Sequence, residues 1–295
     1  MAVNLGRVGT WLGGLSWQPA SSTREVAAEV EELGYGALWI GETPIAKEAF
    51  THSAILLAAT SRIPIATGIV NVWLHTPVSA AHAGTTLAEA YPGRFVLGIG
   101  ISHHMVVEGL GQTYDRPVTR MREYLDAMDE AQWQAPEPAE PVTLVLAALR
   151  PRMLALSAER THGAHPYFVP VEHTRRAREL LGKDSLLLPE QAVLLETDPE
   201  RAREVAREHT SFYLSAPNYR ENLRWLGFED EDFEGGGSDR LVDAVVAWGD
   251  EDAVVARVRD HLEAGADHVC IQPLAPRGQV DVEPLRRLAP ALLEL

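Results

Sequence analysis

The fold is decided by the stretch from Arg94 to His104, which reads Arg-Phe-Val-Leu-Gly-Ile-Gly-Ile-Ser-His-His. Apolar residues and glycines alternate over most of it, which is typical of a buried strand that a flat ligand or another backbone can approach closely. Polar side chains follow directly, at the strand end where α/β barrels keep their chemistry. The stretch therefore predicts a ligand beside this strand, with His103 as a group that can move a proton.

Short apolar runs alternate with longer amphipathic segments along nearly the whole chain. Helix signals separate the runs, such as Asp198-Pro199-Glu200, which supplies an N-cap, a first-turn proline and an acid. Eight strand–helix units predict a closed parallel TIM (β/α)8 barrel, formed by residues 1–295 as one domain, with an insertion between units seven and eight near Gly235. The predicted strands are Arg7–Trp11, Ala37–Ile40, Ile63–Asn71, Arg94–Ile101, Val142–Leu149, Tyr167–Val169, Ala192–Leu195 and His268–Gln272.

Composition narrows the class of protein. The chain has 295 residues and a formal net charge of -16, which argues against a broad nucleic-acid contact face. The single cysteine, Cys270, rules out a disulfide within the chain and favours a reducing compartment. The apolar runs are too short to span a membrane. We therefore expect a cytoplasmic protein that binds neither nucleic acid nor membrane.

In such a barrel the loops that follow the strands build the site. Among the residues that this rule selects are Trp11, Glu42, Gly68, Ile69, Asn71, Trp73, Ser102, His103, His104, Ala148, Leu149, His165, Tyr167 and Gln272. No metal site is predicted, because the adjacent His103 and His104 point to opposite sides of an extended chain and no further histidine stands at ligand spacing. A dinucleotide loop is excluded as well, because G-x-G-x-x-G would need glycine at position 103.

Six motifs in order make the chain resemble the luciferase-like monooxygenase family, and within it the branch that uses the deazaflavin coenzyme F420. The motifs are Gly34–Glu42, Ala66–Val72, Leu87–Phe95, Gly98–His103, Arg120–Asp126 and Gly265–Val269. The resemblance implies an F420-dependent oxidoreductase that transfers a hydride to or from a small organic substrate. It also implies a homodimer.

The resemblance assigns the strand-end residues to a flavin-like ring that lies across the barrel mouth. A non-proline cis peptide is expected at Gly68–Ile69, beneath the ring. Polar contacts to ring or tail are expected from Glu42, Asn71, Ser102 and His165. The family's phosphate contacts follow strands five and six, which here places Ala148, Leu149, Arg150 and Tyr167 at the tail.

The resemblance also distinguishes the residue expected to exchange a proton with the substrate from the residues expected to line the substrate pocket. Relatives that oxidise sugar phosphates carry a glutamate at the place matched by His103, so histidine is a departure that keeps acid–base capacity near neutral pH. The substrate pocket is expected to be shaped by Trp11, Trp73, His104 and the segment near Asn218 to Gly237. Two alternatives stay open: an FMN-dependent monooxygenase of the same fold, and a barrel that binds a flavin-like ligand without catalysis.

Overall fold

Eleven parallel strands form the centre of the computed structural model, which describes residues 3–295. Their bounds are β1 Val8–Trp11, β2 Leu38–Ile40, β3 Ile65–Thr67, β4 Val70–Asn71, β5 Phe95–Gly100, β6 Thr143–Leu146, β7 Gly163–Ala164, β8 Leu186–Leu187, β9 Glu190–Leu195, β10 Val246–Gly249 and β11 Val269–Pro273. Most central strands are buried along their whole length, as parallel strands covered on both faces must be.

The sheet closes on itself through the segment that carries β8 and β9. Its first half pairs with β7, where Leu188 N–H donates to Ala164 O at 2.9 Å. Its second half pairs with β11, where Cys270 N–H donates to Pro189 O at 3.0 Å. Eight positions around the ring are thereby filled, with β10 added outside on β9. The predicted barrel is confirmed.

Twelve α-helices surround the strands within the described residues. They are α1 Ala20–Leu33, α2 Ala49–Ala59, α3 Pro77–Ala90, α4 His104–Gly109, α5 Pro117–Asp129, α6 Pro151–Arg160, α7 Val171–Leu181, α8 Pro199–Leu214, α9 Pro217–Trp225, α10 Asp239–Val245, α11 Glu251–Glu263 and α12 Glu283–Leu292. Side-chain caps fix several starts; at α8 the Asp198 carboxylate accepts from Arg201 N–H, as predicted. None of these helices is long and apolar enough to cross a membrane.

Two predicted strands need correction. The sixth strand is Gly163–Ala164 and not Tyr167–Val169, because Phe168 has a φ of 57°, which a strand cannot hold. The predicted strand over Ile63–Asn71 divides into β3 and β4 around the Gly68–Ile69 peptide bond, which is cis as expected.

The seventh strand is also longer than predicted, and one further strand was missed. The segment predicted as Ala192–Leu195 begins at Leu186 as β8 and continues as β9. The missed strand, β10, follows α10 without a turn, so its apolar run merges with that of the helix.

Residues 199–245, called the insertion below, lie between the seventh and eighth barrel strands, as predicted. They hold α8, α9, a 3-10 helix over Asp230–Gly236, and α10. Their apolar side chains form a cluster of their own, which includes Tyr219, Leu223 and Leu241 and meets the barrel at Phe168. The insertion is therefore fastened to the barrel by aromatic and aliphatic packing.

Candidate active site

A cavity of about 1320 Å³ opens at the carboxyl ends of the strands. Its wall is built by the loops that follow the barrel strands and by α8 and α9 of the insertion. Ligand pockets usually measure roughly 300–1,000 Å³. The cavity therefore has room for a cofactor together with a second, smaller molecule.

Glu42 follows β2 and joins three elements beneath the cavity. Its side chain is 1% exposed. One carboxylate oxygen accepts from Ala49 N–H at 3.0 Å and from His75 Nε2 at 2.9 Å, and the other accepts from Asn71 N–H at 2.8 Å. Burial lowers the pKa of His75, but its hydrogen bond to Glu42 and the charges of Glu42 and Glu48 outweigh burial and raise that pKa. The carboxylate thus fixes Asn71 and the start of α2.

Glu42, Glu48 and His75 come close enough together to be considered as a cation site. The carboxylate oxygens of Glu42 and Glu48, however, already accept hydrogen bonds from backbone N–H groups. Glu48 caps α2, accepting from Phe50 N–H at 2.8 Å and from Thr51 N–H at 2.7 Å. Because the hydrogen bonds account for this set of side chains, we assign it no metal.

Two unpartnered nitrogens lie beside Gly68 on the floor of the cavity. A Cβ on Gly68 would come within 2.6 Å of Trp11 Nε1 and within 2.7 Å of His165 Nε2. Both nitrogens are buried and have no hydrogen-bond partner among the described residues. A buried polar atom left without a partner costs about 1–3 kcal/mol, so such atoms mark places where a ligand can supply one.

His165 is held so that Nε2 faces this gap. Its Nδ1 hydrogen-bonds to Leu188 O at 2.7 Å, and its ring stacks on Trp39 with centroids 4.3 Å apart. Burial lowers the pKa of His165 to about 4, so the ring is neutral at physiological pH. A neutral ring whose Nδ1 donates presents Nε2 as an acceptor.

Backbone strain concentrates at the same end of the barrel. Three non-glycine residues in the described part of the chain have a positive φ: Ser102 at 61°, Arg116 at 38° and Phe168 at 57°. Ser102 and Arg116 line the cavity, and Phe168 follows Tyr167, which does too. Strained residues of this kind cluster at ligand-binding and active sites.

His103 stands at the end of β5, on the side of the cavity that the insertion covers. Its Nδ1 lies 3.2 Å from Asn218 Oδ1, and its ring centroid lies 5.2 Å from that of Tyr219. Burial lowers the pKa of His103, and the Asn218 hydrogen bond opposes this only in part. A neutral imidazole at a cavity wall can accept a proton.

Cationic side chains lie along the rim near the start of α6. Arg116, Arg150 and Arg152 line the cavity there, beside Ala148 and Leu149. The start of α6 has no side-chain cap, so its first backbone N–H groups are not met by a side chain from the N-cap residue. Positive charge together with a helix N-terminus favours an anionic group at this rim.

A chain of hydroxyl groups joins the barrel to the insertion. Tyr167 Oη donates to Gln272 Oε1 at 2.6 Å and lies 2.7 Å from Tyr213 Oη. Burial raises the pKa of Tyr167 well above 10, so its hydroxyl stays neutral. The Tyr167 ring also lies 5.1 Å from that of Trp11. Tyr167 therefore offers the cavity its ring more than its hydroxyl.

The structure brings most of the predicted site residues to one cavity. Those that line it are Trp11, Glu42, Gly68, Ile69, Asn71, Ser102, His103, Ala148, Leu149, Arg150, His165, Tyr167 and Gln272. Two residues predicted for the substrate pocket lie outside its wall. Trp73 Nε1 donates to Ile101 O at 2.9 Å and its ring is covered by Arg120, while His104 begins α4 and faces Glu108 at 3.2 Å.

Sequence reasoning missed the side chains that the insertion contributes. His209, Tyr213, Asn218 and Tyr219 all line the cavity. The segment expected to shape the pocket, Asn218 to Gly237, contains Asn218 and Tyr219 but gave neither side chain a role, and it does not reach His209 or Tyr213. The local signal that could have found them is the pair of aromatic residues Tyr213 and Tyr219 at a helix junction. Buried aromatic residues in such a place are typical of packing against a neighbouring element.

Comparison with known proteins identifies the family of the chain. A sequence model of the luciferase-like monooxygenases matches residues 3–268. The chain is 31% identical over 172 residues, 58% of its length, to a provisionally assigned coenzyme F420-dependent oxidoreductase of Mycobacterium tuberculosis, of which it covers 47%. It is 31% identical over 96 residues, 32% of its length, to a 5,10-methylenetetrahydromethanopterin reductase of Archaeoglobus fulgidus, of which it covers 29%. The chain thus spans about half or less of these relatives.

Solved structures share the fold over nearly the full chain. An F420-dependent secondary alcohol dehydrogenase, in complex with an F420-acetone adduct, superimposes with a TM-score of 0.75 at 16% identity, over 99% of each chain. The oxygenating constituent of 3,6-diketocamphane monooxygenase of Pseudomonas putida, in complex with FMN, gives a TM-score of 0.65 at 15% identity, over 100% of this chain and 97% of that one. Because the family model covers most of the residues, the chain belongs to the luciferase-like monooxygenase family.

Proposed function

We propose that the protein is an oxidoreductase that binds coenzyme F420 and transfers a hydride between the deazaflavin and a small organic substrate. The observation that carries the proposal is the floor of the cavity. There the unpartnered Trp11 Nε1 and His165 Nε2 flank Gly68, and His103 stands at the adjoining wall. Similarity to the mycobacterial F420-dependent oxidoreductase supports the same cofactor.

The residues present fit the two ends of such a cofactor. Gly68 and Ile69 would support the ring, and Asn71, Ser102 and His165 would supply polar contacts. Glu42 would act through Asn71, because its carboxylate is committed to that backbone N–H and to α2. The anionic tail would lie along Ala148, Leu149 and Arg150, with the ring of Tyr167 beside it.

When bound, F420 supplies a two-electron carrier that accepts or returns a hydride. The part left to the protein is the proton. With an alcohol as substrate, for example, His103 would take the hydroxyl proton as the alcohol is oxidised to a carbonyl compound by loss of a hydride to F420, and in the reverse direction it would return that proton. The lowered pKa of His103 keeps its base form populated near neutral pH.

An FMN-dependent monooxygenase is the second candidate, favoured by the shared fold with an FMN-bound enzyme. Equilibrium dialysis of the purified protein against F420 and FMN, each followed by its own absorption, separates the two. We expect F420 to bind and FMN to bind at least tenfold more weakly. Tighter binding of FMN would contradict the proposal in favour of the second candidate.

The tail assignment is tested in the same assay. Arg150→Ala should weaken F420 binding about tenfold, since a charge-assisted hydrogen bond contributes about 1.5–3 kcal/mol. The matched control is Arg122→Ala, which removes an arginine of α5 paired with Glu159 at 2.7 Å. Equal effects of both variants would remove Arg150 from the tail site. A homodimer and a cytoplasmic location stay predictions.

A further inference from the structure

The hydrogen bond between His103 and Asn218 joins the barrel to the insertion across 115 residues of sequence. His103 follows β5, whereas Asn218 is the second residue of α9. The Asn218 oxygen faces His103 Nδ1 at 3.2 Å. Because an amide oxygen can only accept, this geometry requires the proton of the neutral imidazole to sit on Nδ1.

Packing holds Asn218 in place. Its neighbour Tyr219 is 5% exposed, and the Tyr219 ring lies 5.3 Å from both Phe168 and Tyr213. One turn further along α9, Leu223 is fully buried in the same cluster. The start of α9 is thereby anchored on two sides, which fixes where the amide of Asn218 can lie.

Two influences act on the pKa of His103. Burial lowers it, and the hydrogen bond to Asn218 opposes this. Tyr219 is the ionisable side chain whose ring contacts His103, and burial raises the pKa of Tyr219 well above 10, so its hydroxyl is neutral. Charged side chains such as Arg150 and Glu208 line the same cavity, but the hydrogen bond to a ring nitrogen of His103 comes from the Asn218 amide.

We propose that Asn218 is a positioning residue that holds His103 in the tautomer protonated on Nδ1, so that Nε2 is presented to the substrate as the proton acceptor. The inference rests on the proposed function, because it specifies which atom of His103 takes the proton. It also means that the site is complete only when the insertion is seated on the barrel. Asn218 itself touches no reacting atom in this scheme.

The imidazole tautomer can be read directly by NMR of the ring nitrogens in the full-length protein labelled with nitrogen-15, without added cofactor. We expect His103 to show a protonated Nδ1 and an unprotonated Nε2 at pH 7.5. Asn218→Ala should lose this preference. Asn218→Asp should keep it, and should raise the pKa of His103 by about 1–2 units, because an opposite charge favours the imidazolium.

His104 is the internal reference for these spectra. It is the next residue, but it is exposed and pairs with Glu108 instead of the insertion. Its ring signals should be the same in all three proteins, and this distinguishes a local effect of Asn218 from a general change of structure. Movement of the His104 and His103 signals together would contradict a specific role for Asn218.

A wild-type His103 protonated on Nε2 would overturn the inference, because the Asn218 amide would then be turned to donate. An unchanged tautomer in Asn218→Ala would overturn it as well. Neither result depends on F420, so the two proposals fail separately. If His103 is protonated on Nδ1 but the protein does not bind F420, the proposed function alone is contradicted. If the protein binds F420 but His103 is protonated on Nε2, only the role of Asn218 is contradicted.

Discussion

The two sides of the cavity are held by different forces. The barrel side is fixed by backbone pairing and by hydrogen bonds such as those of Glu42 to Ala49 and Asn71. The insertion side is fixed by packed rings, with Tyr213 and Tyr219 5.3 Å apart. Hydrogen bonds between strand ends are directional and leave little freedom, whereas rings that pack edge to face can adjust by small shifts.

This difference indicates that the two sides of the cavity have different binding roles. The barrel side carries the unpartnered Trp11 Nε1 and His165 Nε2, which suit a cofactor that must be held in one orientation. The insertion side presents the rings of Tyr213 and Tyr219 and the amide of Asn218, which suit contact with the proposed substrate. His103 lies where the two sides meet. The predictions below test whether the two sides respond to change as differently as their construction implies.

Acid should destabilise both sides together, and this is the largest effect we expect. Burial lowers the pKa of His165 and His268 in the barrel, and of His209 in the insertion, to about 4. An unfolded histidine titrates near pH 6.5, so the unfolded state binds more protons between these values. Stability is fully present above about pH 6.5 and is lost as the pH falls toward 4.

Each fully buried imidazole contributes on the order of 3 kcal/mol to this loss. Glu190 acts in the opposite direction, because burial raises its pKa to about 8. Urea unfolding from pH 7.5 to 4.5 measures the sum, and His209→Phe should reduce the proton uptake on unfolding by about one. Stability that does not fall on acidification would show that these imidazoles are not buried as neutral groups.

Replacing the imidazole where the two sides meet should affect turnover and not cofactor binding. His103→Ala should lower kcat by about 10²–10⁴-fold, the usual contribution of a positioned acid or base. The dissociation constant for F420 should change less than threefold. Steady-state kinetics and dialysis measure the two quantities separately.

The control for His103 is His82→Ala, which removes a half-buried histidine of α3 that hydrogen-bonds to Gln132 O at 3.0 Å outside the cavity. Turnover of this variant should match that of the unmodified protein. Wild-type turnover in His103→Ala would remove His103 from the reaction.

Adding a methyl group at Gly68, on the floor of the cavity, should disturb the packing of the barrel side alone. The Cβ of Gly68→Ala would meet Trp11 Nε1 at 2.6 Å and His165 Nε2 at 2.7 Å. Overpacking of this kind costs about 1–3 kcal/mol, and F420 affinity should fall more than tenfold because both nitrogens are displaced. In Gly109→Ala the new methyl meets nothing within 4 Å, so stability should not fall and affinity should stay unchanged. Full F420 affinity in Gly68→Ala would mean that the cofactor does not lie here.

A change on the insertion side should have the smallest effect. Tyr213→Phe removes the hydroxyl that lies 2.7 Å from Tyr167 Oη and leaves the ring packing in place. We expect a loss of about 0.5–1.5 kcal/mol in the free energy of unfolding and no change in F420 affinity. A loss of cofactor binding in this variant would show that the insertion holds the cofactor too.

Sequence patterns predicted the barrel side of the cavity well, because each strand end is recognisable from the residues next to it in the sequence. A strand end is marked by its own apolar run, and the parallel topology then brings Glu42, Asn71 and His103 to one mouth without further information. Patterns failed where local residues do not mark the element. β7 has only Gly163 and Ala164 to identify it, and β10 merges with the helix before it.

The insertion side could not be predicted residue by residue. Which face of α8 and α9 meets the barrel depends on how Tyr219 and Phe168 pack, and packing between distant segments leaves no periodicity in the sequence. The same reason explains Trp73. Its position after β4 suggested the pocket, but the chain turns there and Trp73 Nε1 bonds to Ile101 O instead.

The most direct test of the account is a crystal structure of the protein with F420. We predict that the ring lies over Gly68 and Ile69 at contact distance, roughly 4 Å, with the tail toward Arg150. Trp11 Nε1 and His165 Nε2 should gain polar partners, and His103 Nε2 should face the open side of the ring. A ring bound elsewhere, or a His103 imidazole turned away from it, would contradict the account.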